Sequence, residues 1–232
     1  MVITKVTQQI ENLAVRSKLA YFLASQYYRE VIKKEICLAR IKRDDHVLFV
    51  GGGSCPFSAI LMHQYTGARV TVIDHNISCV RNAKEAICRL GLERQVNVLC
   101  REGSDLSLTG HKDQTLSDNN LSDYTVIHFA LQITPLEYVF SQVKRWMKPG
   151  ARLLLRRPKA CLETVYSACP QLKSCPYIDH KTCNIGSTLL FVKKECLYED
   201  KECLVRDEKL EPLFPISPVQ IPYNGCLPHY PR

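Results

Sequence analysis

The run Gly51-Gly52-Gly53-Ser54 follows directly on an apolar stretch at 46–50. Asp74 ends a second apolar stretch, 21 residues beyond Gly53. Such a combination can hold a nucleoside. Glycines let the backbone turn sharply at a strand end and approach a ligand closely. An acid at the tip of the neighbouring strand, here with His75 beside it, can accept hydrogen bonds from both ribose hydroxyls. The third glycine of a dinucleotide fingerprint is missing, because Pro56 stands in its place. A pyrophosphate on a helix N-terminus favours a small residue there. S-adenosylmethionine, with ribose, adenine and a sulfonium-bearing amino-acid tail but no pyrophosphate, fits better. The expected binding set is Gly51, Gly52, Gly53, Ser54 and Pro56 at the turn, with Asp74 and His75 at the acid. Glu102-Gly103 and Ala130-Leu131, after the third and fourth strands, would form the adenine pocket, with Glu102 toward the adenine amino group. Taken alone, the three glycines also read as a plain structural turn.

The elements that must position these residues follow from hydrophobic periodicity. Residues 5–41 carry Leu13, Leu19, Leu23, Tyr27, Val31 and Ile32 near the helical period, with a break expected within 24–28 and a stop at 42–45. Strands are expected at 46–50, 69–73, 96–100, 124–129, 151–156 and 187–192. Helices are expected at 56–65, where proline suits the first turn, at 78–90, closed by Gly91, and at 136–147. Strands alternating with helices predict an α/β fold: a Rossmann-like, mostly parallel sheet flanked by helices. A polar insertion spans 104–123, and six of the 12 prolines fall in 211–232, which reads as an extended arm. The expected organisation is a helical segment at 1–43, a nucleoside-binding domain at 44–194 and a Cys/Pro-containing tail at 195–232.

Composition narrows the partners. The 232 residues hold 46% hydrophobic residues, which excludes a disordered or collagenous chain, and no run of about 20 apolar residues suits a membrane span. No basic start with an apolar run follows Met1, so a cytoplasmic protein is expected. The formal charge of +8 favours anionic partners, nucleic acid among them. No Arg/Lys run interleaves with aromatics, however, so a solvated basic surface explains the charge as well. The 12 cysteines are expected to be reduced thiols in a chain of this size, with Cys37, Cys79, Cys88 and Cys100 as small core residues. The later group of Cys169, Cys175, His180, Cys183, Cys196 and Cys203 contains no CxxC pair, so no metal site is expected. The residues after the fourth strand, Phe129-Ala130-Leu131-Gln132, lack both a base-gripping Asp/Asn-Pro-Pro-Tyr/Phe run and a cysteine nucleophile. That argues against base methylation and toward a small-molecule acceptor.

Two stretches carry a family resemblance: Tyr27-Tyr28-Arg29 through Glu35, and Phe49-Val50-Gly51-Gly52-Gly53-Ser54-Cys55-Pro56-Phe57-Ser58. They resemble nicotianamine synthase, especially the archaeal type. Pro56-Phe57-Ser58 matches the second half of that family's glycine–proline run, and Ser54-Cys55 departs from its first half. The likeness extends through Gly67-Ala68-Arg69-Val70, Val96-Asn97-Val98, Val139-Phe140, Arg152 to Arg156, Tyr166 and Ser187-Thr188, from Gln26 to Lys194. It implies a class I methyltransferase-like domain that moves the 3-amino-3-carboxypropyl group of S-adenosylmethionine onto an amine, releasing methylthioadenosine. It also implies that Tyr28 is an active-site tyrosine orienting the amino-acid tail or the acceptor, with Glu35 and Arg156 near the pocket. Tyr28 also reads as a helix-packing aromatic, and Arg156 as a strand-end surface residue. The family's catalytic glutamate lies in a preceding helical domain, and neither Glu11 nor Glu30 stands in its place. The expected function is therefore S-adenosylmethionine-dependent transfer of a methyl or aminocarboxypropyl group to a small amine or amino-acid-like acceptor. An RNA-modifying methyltransferase and a non-catalytic binding protein are the alternatives, and a homodimer is left open.

Overall fold

The computed structural model describes residues 9, 13–15, 17–103, 121–164, 166 and 175–194. Seven strands form one sheet: β1 (His46–Val50), β2 (Arg69–Asp74), β3 (Val96–Cys100), β4 (Val126–Phe129), β5 (Arg152–Pro158), β6 (Tyr177–Asp179) and β7 (Ile185–Val192). Their spatial order is β3-β2-β1-β4-β5-β7-β6. The first five run parallel, and β7 and β6 add antiparallel pairs at one side. The central strands are nearly continuous apolar runs because helices cover both of their faces. One face packs on α1 (Lys18–Ala39), α2 (Phe57–Thr66) and α3 (Ile77–Arg89), with Ile36, Ile60 and Ile87 against Phe49 and Val72. The other packs on α4 (Leu136–Trp146), with Val139 and Val143 in one cluster with Leu48, Ile127 and Leu153. β1 is the switch point: its neighbours β2 and β4 lead away in opposite directions, opening a crevice beyond their carboxyl ends.

α1 differs from its sequence reading in two ways. It runs unbroken across 24–28, since no proline or glycine interrupts it, and its discontinuity lies at Ser17. Ser17 is an extended N-cap whose hydroxyl accepts from the Ala20 N–H at 3.3 Å. The buried face of α1 carries Val31, Ile32, Glu35, Ile36, Leu38 and Ala39, with the half-buried Tyr21 and Tyr28 ahead of them. Tyr21 and Tyr28 both stack on Phe57, with ring centroids 5.4 and 5.5 Å apart, while Leu13, Leu19 and Leu23 remain at least 60% exposed. The helix ends at Arg40 in the left-handed region, before the polar turn.

Other expectations shift by a few residues, and Gly91 follows α3 with a positive φ, as a helix-ending glycine does. β6 was not anticipated. The cysteine reading is corrected: Cys88 and Cys100 are exposed and Cys37 and Cys79 half-buried, whereas Cys55 is buried. Cys88 follows Ile87 and so leaves the buried stripe of α3, while Cys100 ends edge strand β3. Cys169, Cys196, Cys203, most of the 104–123 insertion and the proline-rich 211–232 segment lie outside the described residues. Among the described residues no helix is long and apolar enough to cross a membrane, and no group of three or more His, Cys, Asp or Glu side chains is arranged to hold a metal.

Candidate active site

The glycine turn extends the sheet before leaving it. The Gly51 N–H donates to Ile73 O at 2.9 Å and the Ala130 N–H donates to Val50 O at 3.1 Å, which keeps the ends of β1, β2 and β4 aligned. Gly51 and Gly53 have φ of +83° and +66°, a region that disfavours side chains. Gly52 is glycine for a different reason: a Cβ there would lie 2.1 Å from Val72 Cγ1.

Asp74 ties this turn to β2. Its Oδ2 accepts from the Gly53 N–H at 2.8 Å and its Oδ1 accepts from the Asn76 N–H at 2.9 Å. Asn76 in turn caps α3, accepting from the Ser78 N–H at 2.9 Å. A carboxylate offers about four acceptor positions, so two remain for ligand hydroxyls. Asp74 is thus both a wall of the crevice and the brace of its loop.

Two cavities meet at Gly51, Asp74, His75 and Gln132. The first, about 270 Å³, is lined by Tyr28, Gly51, Gly52, Gly53, Pro56, Asp74, His75, Ala130, Leu131 and Arg156 among the expected residues. The second, about 430 Å³, takes in Glu102, Gly103 and the half-buried Tyr166. Two expected residues line neither. Ser54 is buried in the loop, its hydroxyl donating to Cys79 Sγ at 3.6 Å and accepting from Asn82 Nδ2 at 3.5 Å. Glu35 lies beneath Arg156 with its side chain wholly buried.

Glu35 is the centre of a network that joins four elements. Arg156 Nε and Nη2 donate to its two oxygens at 2.8 and 2.9 Å, and His128 Nε2 lies 3.0 Å from Oε2. The Thr188 hydroxyl donates to Oε1 at 2.8 Å. Register explains the convergence: Arg156 pairs with Thr188 across β5 and β7, and Phe49 pairs with His128 across β1 and β4. The rings of Phe49 and His128 stack at 4.3 Å. Arg156 Nη1 donates to Ser58 Oγ at 3.0 Å, which leaves unused guanidinium protons for the cavity that Arg156 lines. Burial opposes the charge on Glu35, but the Arg156 guanidinium and the His128 ring hold its carboxyl well below the usual range. Burial pushes His128 and His180 down, His180 to about 4, so both imidazoles are neutral at pH 7.

Arg156 is therefore not a surface arginine. Tyr28 combines both of its readings: it stacks on Phe57, lies 6.0 Å beneath the Arg156 guanidinium and lines the first cavity. Sequence reasoning missed His128, Ser58, Thr188 and His180. Ser58 and Thr188 lay in the stretches of likeness and His180 in the late cysteine group without a site role, and His128 stood out as the one polar side chain inside the apolar strand β4.

No family model matches the chain. It is 32% identical over 83 residues to an L-histidine 2-aminobutanoyltransferase of Yersinia pestis, covering 36% of this chain and 31% of that protein. It is 27% identical over 127 residues to the enzyme of the same name from Pseudomonas aeruginosa, covering 55% and 44%. The chain thus spans less than half the length of these curated relatives. Among solved structures, MtNAS in complex with MTA and tNA superposes with a TM-score of 0.62 at 20% identity, over 81% of this chain and 70% of that one. A mutant of MtNAS in complex with S-adenosylmethionine gives 0.63 at 19%, over 82% and 72%. An RNA methyltransferase from Salinibacter ruber with bound S-adenosyl-L-homocysteine gives 0.53 at 15%, over 74% and 95%. The fold is a nicotianamine synthase-like, class I methyltransferase-like Rossmann fold.

Proposed function

We propose that this chain binds S-adenosylmethionine as substrate and transfers its 3-amino-3-carboxypropyl group to the amine of a small, amino-acid-like acceptor. One observation carries the reading above all. The Asp74-braced glycine turn opens into the same cavity as the Arg156 guanidinium, which the buried Glu35 holds in place. The residues fit such a donor molecule. Asp74 keeps acceptor positions for ribose hydroxyls, and the second cavity beside Glu102 and Gly103 suits the adenine. Arg156 offers its spare N–H groups to a carboxylate, and Tyr28 closes that side. The curated relatives, each named an aminobutanoyltransferase, point the same way for the group transferred.

In the reaction the amine nitrogen attacks the aminocarboxypropyl methylene carbon bonded to sulfur, a C–N bond forms, and that carbon's bond to sulfur breaks. Methylthioadenosine leaves with the bonding electron pair, and the amine surrenders one proton. The sulfonium is already a good leaving group, so the protein's task is alignment and exclusion of water. Mass spectrometry of the nucleoside formed with S-adenosylmethionine and L-histidine or related amino acids tests the proposal. Methylthioadenosine supports it. S-adenosylhomocysteine would show methyl transfer instead, and absence of both products would overturn the reading.

A further inference from the structure

The hydrogen-bond directions around Glu35 settle the tautomers of two buried histidines. An ionised carboxylate only accepts, so the 3.0 Å contact from His128 Nε2 to Glu35 Oε2 carries a proton on Nε2. Thr188 spends its hydroxyl proton on Glu35 Oε1, so it must accept from His180 Nε2 at 2.8 Å. Both rings are therefore Nε2–H tautomers, and each Nδ1 carries a bare lone pair. Each Nδ1 is buried without a hydrogen-bond partner. The two differ in place: His128 lines the cavity with Tyr28 and Arg156, and His180 does not. A buried basic nitrogen without a partner is destabilising, and beside a reaction cavity it has a use.

Resting on the transferase reading above, we infer that His128 Nδ1 takes the proton from the acceptor amine. The acceptor arrives as an ammonium. Its N–H proton passes to Nδ1, and the freed lone pair forms the C–N bond as the C–S bond breaks and methylthioadenosine departs with the electron pair. His128 then carries a positive charge that Glu35 faces across the ring, and it returns the proton through the emptied cavity after product release. The groups that face His128 come from every element around it. Glu35 of α1 bonds its Nε2, Phe49 of β1 stacks on its ring and the Arg156 guanidinium of β5 acts on it electrostatically, while Tyr28, Ser58 and Thr188 are held around the Glu35–Arg156 pair, with His180 bonded to Thr188. Burial and the Arg156 guanidinium oppose the charge on the ring and the anionic Glu35 favours it, with a net lowering that leaves the resting imidazole neutral and able to accept.

His128→Gln tests this. Its amide can still donate to Glu35 from the Nε2 position but offers no basic nitrogen. Calorimetry should show unchanged affinity for S-adenosylmethionine. Single-turnover formation of methylthioadenosine should fall by a factor of about 10²–10⁴ near neutral pH. The variant's rate should climb about tenfold per pH unit and converge on the wild-type rate above the pKa of the acceptor amine. A deficit equal at every pH, or none, would overturn the inference while leaving the transferase reading intact. Failure of the wild-type protein to form methylthioadenosine would remove both. Long-range ¹⁵N NMR of the wild-type protein gives a readout independent of turnover: a proton found on Nδ1 of His128 also overturns the assignment.

Discussion

Arg156 and Glu35 meet through two parallel hydrogen bonds of 2.8 and 2.9 Å, with side chains 5% and 0% exposed. A fork-to-fork pair in such surroundings fixes direction as well as charge, so the guanidinium face that looks into the cavity is set by α1 and not by the ligand.

Removing one member of the pair should therefore be severe. Glu35→Ala leaves Arg156 charged and buried, and a loss of about 3–5 kcal/mol is expected in urea unfolding. The double variant Glu35→Leu/Arg156→Met should recover much of that stability while still failing to bind donor or acceptor. A single variant as stable as wild type would contradict the buried-pair geometry.

Asp74→Asn puts an amide N–H against the Gly53 or Asn76 N–H that the carboxylate now accepts. Affinity for S-adenosylmethionine should drop about 10–100-fold by calorimetry, the scale of a charged hydrogen bond. Hydrogen exchange at the Gly53 amide should quicken as well, because the same carboxylate braces the turn. Unchanged affinity would remove Asp74 from the binding set.

Gly52→Ala should destabilise the protein by about 1–3 kcal/mol through collision with Val72. Val72→Ala in the same chain should restore part of the loss, because that methyl is what the new Cβ meets. Lack of rescue would mean that the backbone at Gly52, and not Val72, sets the requirement.

Acid should weaken the fold in a defined window. Burial lowers His180 from 6.5 to about 4 and lowers His128 too. Between those values the unfolded chain binds protons that the folded one refuses. Stability present above pH 6.5 is thus lost as pH falls toward 4, on the order of 3 kcal/mol for His180 alone. Glu35, whose carboxyl stays ionised further down, adds its own loss at lower pH. Urea midpoints at pH 7.5 and 5 measure this, and His180→Gln should flatten the difference.

Much of the architecture was legible in the sequence. Short apolar runs punctuated by glycine and proline have few readings, so β1 to β5 and the turn at Gly51–Gly53 stood out. α1 was harder because its apolar residues trace more than one helical stripe, and only the packing shows that Val31, Ile32 and Ile36 face inward while Leu19 and Leu23 stay out. β6 has three residues and exists by pairing with β7. The site divides the same way. Local chemistry announced Gly53 and Asp74, whereas the meeting of Glu35 with His128, 93 positions away, depends on which strands become neighbours.

The Thr188 hydroxyl bonds a carboxylate 153 positions earlier in the chain. Glu35 must therefore wait for 153 further residues of synthesis before this partner emerges. Until β7 docks, the nascent protein shelters an acid with one lobe bare, so the pocket is among the last parts to mature. Shortening the chain ahead of position 188 would thus strike the Glu35 network before it damaged the parallel scaffold.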